Sequence, residues 1–173
     1  LDSSLAIESL EKIGKPDVLV GQFEIPMSVN EEVFSYAYKS GVKTVLNPAP
    51  ANKPTDILLE HTSWFIPNEV EFEEISGEVF NEENLLLFAN NLKTNVVVTL
   101  GEKGCAYIKN NSVKIMNTDS VKAIDTTGAG DAFVGAFSFG LASKLEIEEC
   151  LKLALQKATD SVTKKGTQSS YKN

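Results

Sequence analysis

The sequence is poor in the residues that most metal and nucleophile chemistry needs. It has one histidine and two cysteines in 173 residues. His61 alone leaves no multi-histidine metal site and little room for a histidine-based triad. Cys105 and Cys150 show no paired metal spacing and read as two buried thiols in a reducing cytosol. Basic residues are scarce: 16 Lys and Arg face 24 Asp and Glu, for a formal net charge of −8. That balance speaks against a nucleic-acid or anionic-membrane partner. No apolar run approaches the ~18 residues of a membrane span. The opening Leu1-Asp2-Ser3-Ser4 has neither the basic nor the apolar region of a signal peptide, so the expectation is a cytoplasmic protein. The sequence also does not begin with an initiator Met, which is what a processed or truncated chain would show. No Gly-Lys-Ser/Thr ending of a Walker loop occurs, and no Gly-x-Gly-x-x-Gly follows a first strand, so hydride transfer has no support.

What remains is an ordinary globular composition, 42% hydrophobic and 23% charged, long enough for one domain with a real core. Apolar spacing predicts helices over 1–13, from a Ser28 cap with Glu31 as its box partner to Gly41, around 57–60, from Asn68 to Gly77, over 84–92, over 130–142 and over 147–162. Short apolar runs predict strands at 17–22, 42–46, 64–66 and 95–100. A hairpin is predicted to pair 106–109 with 113–116 across Asn110-Asn111. Strand and helix alternate, so the expected fold is α/β with a mainly parallel sheet and ligands at the carboxyl ends of its strands. There is no internal repeat, low-complexity segment or linker, and residues 1–173 read as one domain.

The most informative stretch is Asp125-Thr126-Thr127-Gly128-Ala129-Gly130-Asp131-Ala132-Phe133. Two glycines permit backbone angles other residues resist and let a ligand reach the main chain. A glycine-rich turn feeding a helix start is an anion site, because N–H groups point outward and the helix dipole favours negative charge. A carboxylate beside such a turn is a poor phosphate ligand. Asp131 suits a base for a hydroxyl that attacks the phosphate. Read locally, the same string is also a helix start with a glycine turn and a first-turn acid.

The nine-residue string resembles the second signature of the PfkB carbohydrate kinases, the ribokinase-like superfamily. The resemblance implies a three-layer α/β/α fold and ATP-dependent transfer of a phosphoryl group to a sugar, with Asp131 as base and the amides of Gly128, Ala129 and Gly130 as the anion hole. Other segments fall in the family's order. Asn68-Glu69-Val70-Glu71 is similar to its Asn-x-x-Glu motif, which implies Asn68 at the nucleotide phosphates and Glu71 near a hydrated Mg²⁺. Thr99-Leu100-Gly101 is similar to a segment lining the nucleotide site, which implies Thr99 and Gly101, with Gly130, around ATP. Gly21-Gln22-Phe23-Glu24 is similar to a stretch whose Glu contacts the sugar, which implies Glu24 together with Asp131. Asn47-Pro48-Ala49-Pro50 and Gly166-Thr167-Gln168-Ser169-Ser170 favour a ribokinase-type member acting on O5 of ribose over a fructokinase or adenosine kinase type. Carried over by position, K⁺ would be held by Asp125, Thr127, Ser161, Lys164, Gly166 and Ser170, several through carbonyls.

The chain departs from the family in two places. Leu153-Ala154-Leu155-Gln156 stands where an Asn or His often meets the adenine. The Gly-Gly first signature, the first strands and the β-lid that covers the sugar are absent, and with the lid the surface through which such kinases dimerise. The expectation is therefore the carboxyl-terminal part of a sugar kinase, inactive alone. The alternative is a fragment that binds nucleotide and catalyses nothing.

Overall fold

The structure, a computed structural model, describes residues 2–92 and 94–167. The chain divides into two compact units, Leu1–Val98 with Tyr107–Lys114, and Thr99–Ala106 with Ile115–Asn173.

The first unit is built on a sheet. Strands β1 (Val18–Gly21), β2 (Lys43–Leu46), β3 (Trp64–Phe65) and β4 (Asn95–Thr99) lie side by side in chain order, and β5 (Cys105–Lys109) and β6 (Ser112–Met116) continue the order. The first four run parallel, with Val20 opposite Val45, Leu46 opposite Phe65, and Phe65 opposite Val96. Parallel neighbours require crossovers, and the helices supply them: α1 (Ser3–Ile13) leads into β1, and α2 (Met27–Lys39), α3 (Asp56–Glu60), α4 (Glu69–Ser76) and α5 (Glu82–Leu92) follow. The core gathers the β-branched strand residues and the inward faces of α2, α4 and α5: Phe34, Val45, Phe65, Phe72, Leu85 and Val97 are almost wholly buried. The Phe72 ring meets Phe88 at 5.1 Å and Phe80 at 5.7 Å, both edge to face, the geometry the ring quadrupoles favour. Asn110 and Asn111 both take positive φ, 51° and 55°, which is what a two-residue turn between twisted strands needs.

One predicted cap is wrong. Helix α2 begins at Met27 with Pro26 at the capping position and no side-chain cap. The Pro26 carbonyl accepts from Val29 and Asn30 instead. Proline's fixed φ already suits the residue before a helix, so the helix starts early and Ser28 falls inside the first turn. Glu31, the expected box partner, accepts a hydrogen bond from the Thr55 hydroxyl that caps α3.

The second unit is organised on two helices, α6 (Ala129–Ala142) and α7 (Ile147–Val162). Phe133, Phe137 and Leu141 from α6 and Leu151, Ala154 and Leu155 from α7 are buried. Gly140 lets the helices close up: a Cβ there would lie 2.8 Å from the Cys150 sulfur. Both cysteines are buried and neither is in a disulfide, and burial pushes the Cys105 thiol up to about 12.

Candidate phosphate- and nucleotide-binding site

In the second unit, α6 starts without a side-chain cap. Its capping residue is Gly128 in the left-handed region, φ 79°. A helix start exposes its first N–H groups, and Gly128, having no side chain, does not cover them as a Ser, Thr, Asp or Asn in its place would. The Ala129 amide leans back on the Thr126 carbonyl at 3.3 Å, a long bond. Gly130 lies in regular helix, and nothing stands within 4 Å of where its Cβ would be. Internal packing therefore does not explain a glycine there. Asp131, next along the first turn, is exposed.

Ala129 and Gly130 line a cavity of about 480 Å³. Thr99 and Gly101 line it too, so the structure brings four of the residues singled out from sequence to one recess within this unit. Asp131 is not one of the wall residues. Gly101 takes φ 57° and also has open space at its missing Cβ. The turn carrying it is a single 3-10 turn, Gly101–Lys103, closed by the Leu100 amide on the Gly104 carbonyl at 2.8 Å. Gly104 has no alternative: its φ is 98°, and a Cβ would lie 2.0 Å from the Met116 carbonyl oxygen.

The rest of the cavity wall was not legible beforehand. Thr118, Ser120 and Val121 come from an irregular loop with no periodicity to flag it. Leu155, Ala158 and Thr159 come from α7, at the helical spacing of its packed face. Leu155 occupies the stretch where an Asn or His was sought and makes the wall apolar there. The Thr118 and Thr159 hydroxyls bond to each other at 2.6 Å. The result is a mostly apolar recess with a few hydroxyls and one amide-rich end, the usual make-up of a small-molecule site.

Asp125 binds the segment before the glycine turn to the segment after α7. Its carboxylate accepts from the Thr127 amide and the Gly166 amide, each at 3.0 Å. The Ile124 amide donates to the Val162 carbonyl at 2.8 Å, and the Asp125 amide to the same oxygen at 3.2 Å. The donors of Thr127 and then Gly166 hold the Asp125 carboxyl below the usual carboxylate range. Ser161 is buried, and its hydroxyl donates to the Ala158 carbonyl. Its own carbonyl accepts from the Lys164 amide at 3.3 Å. Ser170 lies outside the described residues. Among the described residues no cluster of three or more His, Cys, Asp or Glu side chains could hold a metal ion.

In the first unit, Asn68 and Glu71 form a reciprocal capping box at the start of α4. Asn68 Oδ1 accepts from the Glu71 amide and Glu71 Oε2 accepts from the Asn68 amide, both at 2.8 Å. Glu71 is buried, and that burial raises its carboxyl above the ordinary value of 4.5. The sequence singled out both Asn68 and Glu71 but not the burial of Glu71, which only packing around α4 determines. Glu24 is exposed on the loop after β1, at a smaller recess of about 260 Å³ that Gly21, Gln22 and Asn30 also line. No helix among the described residues is long and apolar enough to cross a membrane.

The ribokinase of Haemophilus influenzae is 38% identical over 175 residues, 98% of this chain and 57% of that protein. A deoxyribokinase of Salmonella typhi is 34% identical over 167 residues, 93% of this chain and 55% of that protein. Among solved structures, Arabidopsis thaliana ribokinase complexed with ribose and ATP superposes with a TM-score of 0.87 at 28% identity, covering 94% of this chain and 55% of that one. The chain thus spans about half the length of the curated relatives it matches. The family model described as pfkB family carbohydrate kinase matches residues 6–173, and the chain, with its uncapped glycine turn and adjoining carboxylate, belongs to that family.

Proposed function

We propose that this chain is the phosphoryl-transfer half of an ATP-dependent sugar kinase whose acceptor is the primary O5 hydroxyl of ribose. One observation carries the reading: a helix whose capping residue is a glycine, with open space at Gly130, begins at the wall of a cavity, and an exposed carboxylate follows one residue later. ATP would lie in the cavity with its base toward the apolar α7 wall and its phosphates toward Gly130. Thr99 and Gly101 would line its path. Asp131 would take the proton from the acceptor hydroxyl as that oxygen attacks the γ-phosphorus. The bond to the β-phosphate oxygen breaks, and ADP leaves. The amides of the Gly128–Gly130 turn would hold the charge on the phosphoryl oxygens.

Asn68 and Glu71 fit an outer role toward Mg²⁺. The capping box commits Oδ1 of Asn68 and Oε2 of Glu71, so a carboxylate reaching the ion through its water suits this pair better than a tight cage. Bound Mg²⁺ supplies neutralisation of phosphate charge. The oxygens of Asp125, Thr127, Ser161, Lys164 and Gly166 are proposed to hold K⁺, together with Ser170, which lies outside the described residues. Glu24 is proposed to contact the sugar, and the full-length protein to pair through a lid beyond this chain.

Ribose is favoured because relatives such as those of Haemophilus influenzae and Lactococcus lactis are ribokinases; the deoxyribokinase makes deoxyribose the natural second acceptor to assay. The test is Asp131→Asn in a full-length protein carrying this chain. Ribose-dependent ADP release should fall by a factor of ~1,000, while ATP still binds. Near-normal turnover would refute the assignment.

A further inference from the structure

Three strand ends of the first unit are joined by side-chain amides where apolar residues would pack more simply. Asn47, at the end of β2, is 8% exposed. Its Nδ2 donates to the Ile66 carbonyl at 2.9 Å, its Oδ1 accepts from Gln22 Nε2 at 2.8 Å, and its amide donates to the Gly21 carbonyl at 3.0 Å. From the other side Asn30, 2% exposed, donates through Nδ2 to the Gln22 carbonyl at 2.8 Å. The Phe23 amide then donates to the Ala49 carbonyl at 2.8 Å. Asn47 therefore grips two things at once. One arm holds the loop that carries Glu24. The other holds the last carbonyl before Pro67 and the capping box of Asn68 and Glu71.

A buried amide that is fully bonded adds little stability over an apolar residue, yet fixes geometry far more narrowly. Asn47 has both side-chain polar atoms engaged, with partners on two different loops. We infer that Asn47 is a positioning residue: it sets the Glu24 loop and the Asn68–Glu71 helix start in register with each other, so that the groups meeting sugar and those meeting metal and phosphate are held by one side chain. This rests on the roles proposed above for Glu24, Asn68 and Glu71. The coupling between the two loops does not.

The two arms can be cut separately. Gln22→Leu removes the first and keeps the second. Asn47→Asp keeps the acceptor for Gln22 and loses the donor to Ile66. Asn47→Leu removes both and preserves volume. Amide hydrogen exchange, followed residue by residue in a full-length protein carrying this chain, reads the coupling without any assay of activity. Asn47→Leu should speed exchange about tenfold at both Phe23 and Asn68. Gln22→Leu should do so at Phe23 only, and Asn47→Asp at Asn68 only. Exchange that is unchanged, or faster by the same factor at every amide, overturns the inference. Kinetics then test the positioning role: Gln22→Leu should raise KM for the sugar alone, Asn47→Asp should raise KM for ATP alone, and Asn47→Leu should raise both. Selective exchange with unmoved KM values also overturns it. A wild-type protein that phosphorylates no sugar would refute the proposed function, and the exchange pattern would still decide the coupling.

Discussion

Gly130 and Glu71 are each costly choices that local structure alone does not require. A glycine inside a helix is less favourable than alanine by ~1 kcal/mol, and Gly130 has ordinary helical geometry with empty space where a methyl would go. Gly130→Ala should therefore stabilise the fold by ~0.5 kcal/mol or more. The same methyl would stand where the phosphoryl oxygens must approach, and turnover of a full-length protein should drop ~100-fold. Thermal unfolding and ADP release, measured on the same variant, separate the two effects; an alanine variant with full activity would remove the phosphate from this turn. Glu71 carries a different signature. Burial raises its native carboxyl above the ordinary 4.5, so in the native state it ionises less readily than in the unfolded chain. Its contribution is complete below the unfolded value and is lost as pH rises through the native one. Glu71→Gln keeps an oxygen for the Asn68 amide and removes the buried charge. The melting temperature of the variant should stay level across that rise, where the wild type declines, and should be the higher of the two at neutral pH.

At the scale of elements, close approach rather than propensity sets the tightest constraints. The crossing of α6 and α7 depends on Gly140, where an added Cβ meets Cys150 at 2.8 Å from the sulfur and 3.1 Å from its Cα. The first of these neighbours can rotate, but the second belongs to the α7 backbone. Gly140→Ala should cost ~1–3 kcal/mol, read as a lower urea midpoint with an unchanged slope. An unchanged midpoint would mean that the helices can slide apart freely. Elements of this kind were partly visible in the sequence. The α7 range and the Asn110-Asn111 turn were readable because helical periodicity and two residues tolerant of positive φ are local signals. The α2 start was misread because Ser28 looks like a cap in isolation, while Pro26, two residues earlier, begins the helix without one. The β3 strand shrank to Trp64–Phe65, the two residues in register with both β2 and β4, although the Ile66 amide still donates to the Leu46 carbonyl at 2.9 Å; no single segment records such pairing.

At the scale of the molecule, the parts of the site were more legible than their surroundings. Gly128 to Asp131 announce themselves, since each residue type does a local physical job. Thr118, Thr159 and Asn47 do not, because their partners lie far along the chain and only folding brings them together. The distribution of those parts yields the last prediction. The glycine-led helix start and the cavity beside it belong wholly to the second unit, so the proposed nucleotide site is built from residues of this chain. Catalysis needs more: the acceptor must be held in line with the γ-phosphate, and positioning of that kind supplies a large share of phosphoryl-transfer rates. The relatives devote nearly half their length to residues this chain does not match. The 173-residue chain should therefore bind ATP and ADP in a calorimeter, yet release ADP in response to ribose at least ~100-fold more slowly than a full-length protein. Comparable rates would mean that the chain holds the sugar by itself, and the weight placed on the unmatched half would be misplaced. Failure to bind nucleotide at all would instead mean that the cavity forms only when the rest of the protein is present.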